Sequence, residues 1–195
     1  RGGANCVTIS STLGYIPEFD GKTMEEVAQI YNLPPEEAVV KVLVECQGGA
    51  LGIYHSLDMG DILNIMKDMN ITIGSDGCDF NYQMDFDPHP RSFGTFPRFL
   101  QIVREHNLMS IEDAVYKMTG LPASIINLSD RGILKIGNIA DITVFDAEEI
   151  EDLATYMNPT MKPKGIYHVF VGGVASIING EQTENRAGKI SLNTN

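Results

Sequence analysis

The sequence predicts an α/β fold made of two unlike parts, residues 1–127 and residues 128–195. In the first part, apolar residues at helical spacing alternate with short β-rich runs such as 50–54 and 71–73. After Leu128, short alternating runs are separated by Gly, Pro and Asn, a pattern typical of a small antiparallel sheet. With 195 residues, of which 43% are hydrophobic, the chain can bury a sizeable core.

Helix starts are marked by residues that satisfy exposed backbone N–H groups or need none. Thr23, with Glu26 three residues later, forms a capping box, and Pro35 begins the next helix. Three further helices are predicted, over 57–69, 95–106 and 110–118. We therefore expect residues 1–127 to form helices around at most two parallel strands.

Five runs in the second part have the alternation of strands. They are 131–134, 140–146, 167–171, 174–178 and 189–192. We expect these runs to pair in one compact antiparallel sheet.

The composition excludes several classes of protein. The 26 acidic and 14 basic residues give a net charge of −12, and there is no basic run, so we predict no nucleic-acid partner. The sequence has no apolar stretch of 18 residues and no signal segment, which predicts no membrane partner and a cytoplasmic location. The three cysteines form no CxxC pair, which argues against a disulfide framework and a thiolate zinc site.

Asp76 is the sharpest candidate for catalysis. It lies in the sequence GSDG at 74–77, a tight turn that follows the β-rich run 71–73 and precedes a polar loop predicted over 78–94. At the end of a strand, beside a divalent ion, such a carboxylate can ligate the ion and move a proton from its bound water to a leaving nitrogen. The alternative is an Asx turn that only closes the bend.

His89 and Arg91 lie in the sequence PHPR at 88–91. The flanking prolines would hold an imidazole and a guanidinium in fixed positions, and arginine suits bidentate capture of a carboxylate. A solvent-facing loop with no binding role is the alternative interpretation. No HxH or HExxH pair occurs in the sequence, and one carboxylate cannot hold a catalytic zinc ion.

The remaining candidates have weaker support. Tyr54 and Leu57 follow the strand predicted at 50–54, so they either edge the same cleft as Asp76 or fill the core. His55 follows the same strand and could line a cleft, but a satisfied surface or core histidine is the preferred interpretation. Structural roles are also the preferred interpretation of several other residues, namely His106, His168, Cys78 and the stripe Phe93, Phe96 and Phe99.

The run 110–146 resembles the C-terminal signature of the amidohydrolase superfamily. The matching elements are a helix ending in TGLPAS at 119–124, then GILKIGNIADITVFD at 132–146. A narrower resemblance joins GSDG at 74–77 to HPRSFGTFPRFL at 89–100, a combination found in the N-acyl-D-amino-acid deacylases, or D-aminoacylases. With further matches at 21–23, 54–61, 165–169 and 188–189, it covers nearly the whole chain.

This resemblance implies a (β/α)8 amidohydrolase barrel beside a small antiparallel β-sandwich, with zinc at the barrel mouth. Residues 1–127 would be the C-terminal part of the barrel, with its last strand at about 71–74, and residues 128–195 the β-sandwich. Asp76 would be the proton shuttle and a metal ligand. The substrate would be a small N-acyl-D-amino acid, with Arg91 and His89 near its carboxylate and Tyr54 and Leu57 forming an apolar wall.

Most family zinc ligands have no counterpart in this chain, and Arg1 opens it inside a strand-like run, so we expect a C-terminal fragment that holds zinc weakly or not at all by itself. A homo-oligomer or a missing N-terminal half would complete it. Two other functions stay open. One is a cyclic-amide hydrolase of the dihydroorotase or hydantoinase type, which would share 110–146 but not the HPR-aromatic-GTFPR segment. The other is a non-catalytic assembly module.

Overall fold

The computed structural model of the chain describes residues 2–78, 88–156 and 158–190. Within these ranges the chain forms six α-helices and six strands, the strands in one two-stranded and one four-stranded sheet. The helices are α1 Met24–Tyr31, α2 Pro35–Glu45, α3 Met59–Lys67, α4 Arg91–His106, α5 Ile111–Met118 and α6 Gly120–Ile125. The strands are β1 Val7–Ser11, β2 Leu51–Tyr54, β3 Ile142–Phe145, β4 Ile166–Val171, β5 Val174–Ile178 and β6 Glu181–Gln182.

The first unit consists of β1, α1, α2 and β2. The two strands pair antiparallel, and no parallel pair forms among the described residues, so the expectation of at most two parallel barrel strands in this part stays a prediction. Ser11 pairs with Leu51, which means that the helical connection leaves and re-enters at the same end of the pair and must bring β2 back in the opposite direction. The unit has its own core, formed by Ile9, Phe19, Met24, Val27, Ala28, Ala38, Val42 and Cys46.

The predicted start of α1 is confirmed in detail. The Thr23 hydroxyl accepts a hydrogen bond from the Glu26 N–H at 3.2 Å, and the Glu26 carboxylate accepts from the Thr23 N–H at 2.7 Å. The Thr23 hydroxyl also donates to the Glu26 carboxylate, at 2.9 Å. The two bonds that this carboxylate accepts, from the Thr23 N–H and the Thr23 hydroxyl, lower the pKa of Glu26 because they stabilise its charged form.

We expect Thr23→Ala to lower the free energy of unfolding by about 1 kcal/mol near neutral pH, because one N–H of the first turn loses its acceptor. The difference from the parent should shrink as the pH falls below 4.5, since protonation of Glu26 weakens the bond from the Thr23 hydroxyl to its carboxylate, which only the parent has. Urea denaturation at several pH values measures both effects. Thr23→Ser keeps the hydroxyl and is the matched control; an equal loss in both variants would show that the hydroxyl does not stabilise α1.

The segment after α3 leads to the candidate turn. Residues 71–74 pair with no other strand among the described residues, so their assignment as the last barrel strand stays a prediction. The segment is held instead by α5, because the Lys117 ammonium donates to the Asp68 carbonyl and the Ile73 N–H donates to the Lys117 carbonyl at 3.4 Å. Lys117 is fully buried, and burial lowers its pKa.

The long helix α4 begins at Arg91, four residues before the predicted start at Thr95, so the end of the predicted loop was placed too late. Pro90 has helical dihedral angles, φ −53° and ψ −25°, and its missing N–H costs nothing at a helix start. The part of that loop at 79–87 lies outside the described residues. The inner face of α4 carries Phe99, Leu100 and Val103 into a second core with α5 and the loop before β4.

The antiparallel sheet predicted after Leu128 is present, in the order β3-β4-β5-β6. Two predicted strands, 131–134 and the described part of 189–192, do not form. In the first, Gly132 has φ +78° and the Ile133 carbonyl accepts from the Asn138 side chain, so the backbone turns instead of extending. The short strand β6 was missed. No helix in the described part of the chain is long and apolar enough to cross a lipid bilayer.

Candidate active site

Asp76 lies at the tip of a turn with an unusual backbone. Its φ is +47°, in the left-handed region that aspartate tolerates better than most residues but that still costs energy. The Ser75 hydroxyl accepts from the Gly77 N–H at 3.2 Å, which closes the turn on the serine and not on the aspartate. The Asp76 side chain is therefore free to face outward and is 83% exposed.

The turn packs directly against the first turn of α4. A Cβ atom on Gly77 would lie 2.8 Å from the Ser92 Cα, so only glycine permits this approach. The Cys78 N–H also donates to the Ser92 hydroxyl at 3.4 Å. The two sequence motifs, GSDG and HPRSFG, are thus in contact in the structure.

Arg91, the first residue of α4, reaches the turn with its side chain. Its Nη2 lies 2.9 Å from Asp76 Oδ2, and the guanidinium is 44% exposed. Solvent weakens such an exposed pair, so it orients the carboxylate more than it stabilises the fold. The sequence placed Arg91 beside a substrate carboxylate; the structure places it beside the carboxylate of Asp76.

His89 is held by the same helix start. Its Nδ1 accepts a hydrogen bond from the Arg91 N–H at 3.1 Å. Partial burial lowers the pKa of His89, the Arg91 charge lowers it further, and Asp76 acts in the opposite direction. Because Nδ1 accepts the bond from the Arg91 N–H, this nitrogen carries no proton.

Tyr156 is a member of the site that sequence analysis missed. Its ring meets the His89 ring edge to face, with centroids 5.3 Å apart and an interplanar angle of 87°. It meets the His55 ring in the same way, at 5.5 Å and 89°. Tyr156 lies in a segment without helix or strand, so no periodicity could have marked it.

His55 lines a small cavity next to this site. The ring Nε2 of His55 lies 3.1 Å from the Thr8 hydroxyl, and the backbone N–H of His55 donates to the Cys6 carbonyl. The cavity has a volume of about 220 Å³ and is lined by Thr8, Ile9, Ser10, Asp20, Gly21, Ile53, His55 and Tyr156. The interpretation of His55 as a cleft residue is thereby favoured.

Tyr54 and Leu57 are exposed, at 73% and 82%, and belong to neither of the two cores that the described residues form. Among the described residues, no hydrogen bond or ring contact joins either of them to Asp76 or Arg91. Their role as an apolar wall stays a prediction.

Phe99, His106 and His168, all interpreted as structural, have structural surroundings. Phe99 is 1% exposed in the second core, whereas Phe93 and Phe96 line a cavity of about 560 Å³ between α4 and the sheet. His106 lies in the last turn of α4, and His168 Nδ1 accepts from the Asn179 N–H at 3.3 Å.

A zinc site would need more donors than these. The exposed Asp76 carboxylate is a suitable oxygen ligand, but no group of three His, Cys, Asp or Glu side chains converges in the part of the chain that the structure describes. The described residues therefore do not make a zinc site by themselves.

A close contact on α4 fixes the segment that carries Tyr156. The Asp152 carboxylate lies against Gly94, so that a Cβ there would come within 2.2 Å of Oδ1. The Asp152 N–H donates to the Gln101 side chain at 3.2 Å, and its Oδ1 accepts from the Ala154 N–H at 2.9 Å. Helix α4 thus positions both Arg91 and the Tyr156 segment.

We expect Gly94→Ala to lower the free energy of unfolding by about 1–3 kcal/mol, because the added methyl group displaces a carboxylate held by a hydrogen bond. This cost exceeds the gain of about 1 kcal/mol that alanine brings to a helix interior. Gly188→Ala is the control, since its Cβ would meet no atom within 4 Å. A urea midpoint for Gly94→Ala at or above that of the parent would contradict the contact.

Comparison with known proteins places the chain in a class. Residues 59–177 match the amidohydrolase family, and this match covers more than half of the chain. The chain therefore belongs to the amidohydrolase family.

The resemblance to the N-acyl-D-amino-acid deacylases is confirmed as well. The N-acyl-D-aspartate deacylase of Alcaligenes xylosoxydans xylosoxydans is 38% identical over 181 residues, 92% of this chain and 34% of that protein. The crystal structure of a D-aminoacylase superposes with a TM-score of 0.81 at 36% identity, over 93% of this chain and 36% of that one.

A third relative is the N-acyl-D-glutamate deacylase of Bordetella bronchiseptica, in complex with zinc and a phosphonate mimic of the tetrahedral intermediate. It matches with a TM-score of 0.75 at 33% identity, over 88% of this chain and 34% of that one. The chain spans about a third of the length of these relatives.

Proposed function

We propose that this chain is the C-terminal portion of a zinc-dependent hydrolase that cleaves the amide bond of N-acyl-D-amino acids. The observation that carries the proposal is the contact between the left-handed Asp76 turn and the first turn of α4, which presents an exposed carboxylate held by Arg91. The relatives that share this part of the chain are deacylases of N-acyl-D-amino acids.

Asp76 moves the proton in this reaction. Its carboxylate accepts a proton from the attacking water as the water oxygen bonds to the acyl carbon, and returns it to the nitrogen as the carbon–nitrogen bond breaks. The products are a carboxylate and a free D-amino acid. Zinc, held by Asp76 and by residues outside this chain, would polarise the carbonyl and activate the water.

Arg91 and His89 form the polar side of the substrate site. One guanidinium edge contacts Asp76, and the exposed remainder can bind the substrate carboxylate. Tyr54 and Leu57, both exposed, form the apolar wall for the substrate side chain. In this proposal residues 71–74 are the last strand of the barrel, residues 128–195 are the small β-sandwich domain, and the enzyme is cytoplasmic.

The test is hydrolysis of N-acetyl-D-amino acids by the polypeptide that carries this chain together with its preceding residues. Purified with zinc, it should release D-amino acids from their N-acetyl derivatives, leave the L-isomers intact and lose activity on chelation. Ring opening of a hydantoin or dihydroorotate, without release from linear substrates, would instead support the cyclic-amide alternative. Absence of both activities from the zinc-loaded protein would support the assembly module.

A further inference from the structure

The side chain of Tyr156 lies between two imidazoles that belong to different parts of the fold. His55 follows β2 in the first unit, and His89 precedes α4 beside Asp76 and Arg91. The two edge-to-face contacts have nearly perpendicular planes, 89° and 87°, which is the favoured geometry for pairs of aromatic rings. The ring thus restricts the rotation of both imidazoles.

The segment that carries Tyr156 is fixed on both sides. Before it, Asp152 is held by Gln101 and lies against Gly94 of α4. After it, the Asn158 N–H donates to the Thr155 carbonyl at 3.2 Å and to its hydroxyl at 3.0 Å. The position of the Tyr156 ring is therefore set by α4 and by a local turn.

His89, one of the two histidines that Tyr156 contacts, has a defined role in the site. His89 Nδ1 accepts from the Arg91 N–H, at the residue whose side chain pairs with Asp76. An imidazole that rotated about its side-chain bonds would release this N–H and the start of α4. Tyr156 is therefore connected to the Asp76 carboxylate through two residues. It contacts His89, which binds the Arg91 N–H, and the Arg91 side chain contacts Asp76.

We propose that Tyr156 is a positioning residue of the active site: its ring holds the His89 imidazole in the orientation that fixes the start of α4, and so places Arg91 on Asp76. The ring performs this role and the hydroxyl does not, because no hydrogen bond of the hydroxyl joins it to either histidine among the described residues. The role of Asp76 as proton shuttle rests on the proposed function; the position of His89 does not.

The first arm of the test is the orientation of His89 in the 195-residue chain, followed by NMR with ¹⁵N-labelled histidine. An Nδ1 that accepts a bond leaves the proton of the neutral ring on Nε2. We expect the parent and Tyr156→Phe to show this tautomer for His89. Tyr156→Leu should show averaged nitrogen shifts, and His89→Gln identifies the signals.

Tyr15→Leu is the matched control, because Tyr15 is 50% exposed and Tyr156 is 47% exposed, but Tyr15 lies far along the chain from the site. Unchanged His89 signals in Tyr156→Leu, with the rest of the spectrum preserved, would overturn the proposal. The same change in Tyr15→Leu would also overturn it, by showing a general loss of order. This arm gives its answer even if the chain has no deacylase function.

The second arm is kinetic and uses the zinc-loaded deacylase. Tyr156→Leu should lower kcat by about 10-fold with little change in KM, since small misplacement of a catalytic group is costly, and Tyr156→Phe should restore the parent rate. A rise in KM alone would assign Tyr156 to substrate contact and overturn the positioning role. Failure of the parent to hydrolyse any N-acyl-D-amino acid would reject the proposed function and leave the NMR result standing.

Discussion

Asp76→Asn in the zinc-loaded deacylase should lower kcat for an N-acetyl-D-amino acid by at least about 10²-fold. The loss follows from removal of the group that accepts and returns the proton, a contribution typically of 10²–10⁴-fold. Asparagine tolerates the left-handed backbone at φ +47°, so the turn keeps its geometry while the carboxylate is lost. The fold should survive, because this side chain is 83% exposed.

Two comparisons make this result specific to the carboxylate. Asp130→Asn removes an exposed carboxylate elsewhere and should leave kcat unchanged. Asp76→Ala should lose activity and also some stability, because alanine pays a larger penalty for a positive φ. Near-normal turnover by a folded Asp76→Asn protein would show that the Asp76 carboxylate is not the proton shuttle.

Arg91→Lys should weaken catalysis although it keeps the charge, because an ammonium group cannot reproduce the planar fork of a guanidinium. The structure gives Arg91 two possible partners, the Asp76 carboxylate that it contacts at 2.9 Å and the substrate carboxylate of the proposal. Loss of a charged hydrogen bond to the substrate should cost about 10-fold or more, because such bonds are worth about 1.5–3 kcal/mol. The solvent-exposed contact with Asp76 is worth less.

Substrates with and without the carboxylate separate the two roles of Arg91. If Arg91 binds the substrate, kcat/KM should fall more for the acid than for the corresponding amide, which never had the pair. If Arg91 serves Asp76, both substrates should lose by similar factors, mainly in kcat. Equal losses would therefore remove the substrate clamp from the proposal and keep the contact that the structure shows.

Local chemistry in the sequence predicts local structure well. The start of α1 depends on two residues three positions apart, Thr23 and Glu26, and both bonds of the capping box form as expected. The turn at Asp76 is likewise predicted from four consecutive residues, GSDG at 74–77. What the motif did not indicate is that the serine closes the turn, which leaves the aspartate side chain exposed.

The parts that sequence analysis missed depend on distant pairs. The pairing of Val7 with Tyr54 joins residues 47 positions apart, and nothing in either run shows the direction of its partner. The Tyr156 ring reaches His89 because Gly94, which has no side chain, leaves room for the Asp152 carboxylate against α4. Periodicity reports which face of an element is buried, and it does not report such contacts.

The helical connection between β1 and β2 has a consequence for the dynamics of the site. Because the connection starts and ends at the same end of the strand pair and encloses its own core, the first unit can open as a cooperative segment while the second core stays folded. Amide hydrogen exchange should then give one common free energy of opening for the amides of Ile9 and Val27, and a different one for the amide of Phe99. Each opening of the first unit would separate His55 from Tyr156. The order of the site would therefore depend on the folding of a unit that carries none of the reacting groups.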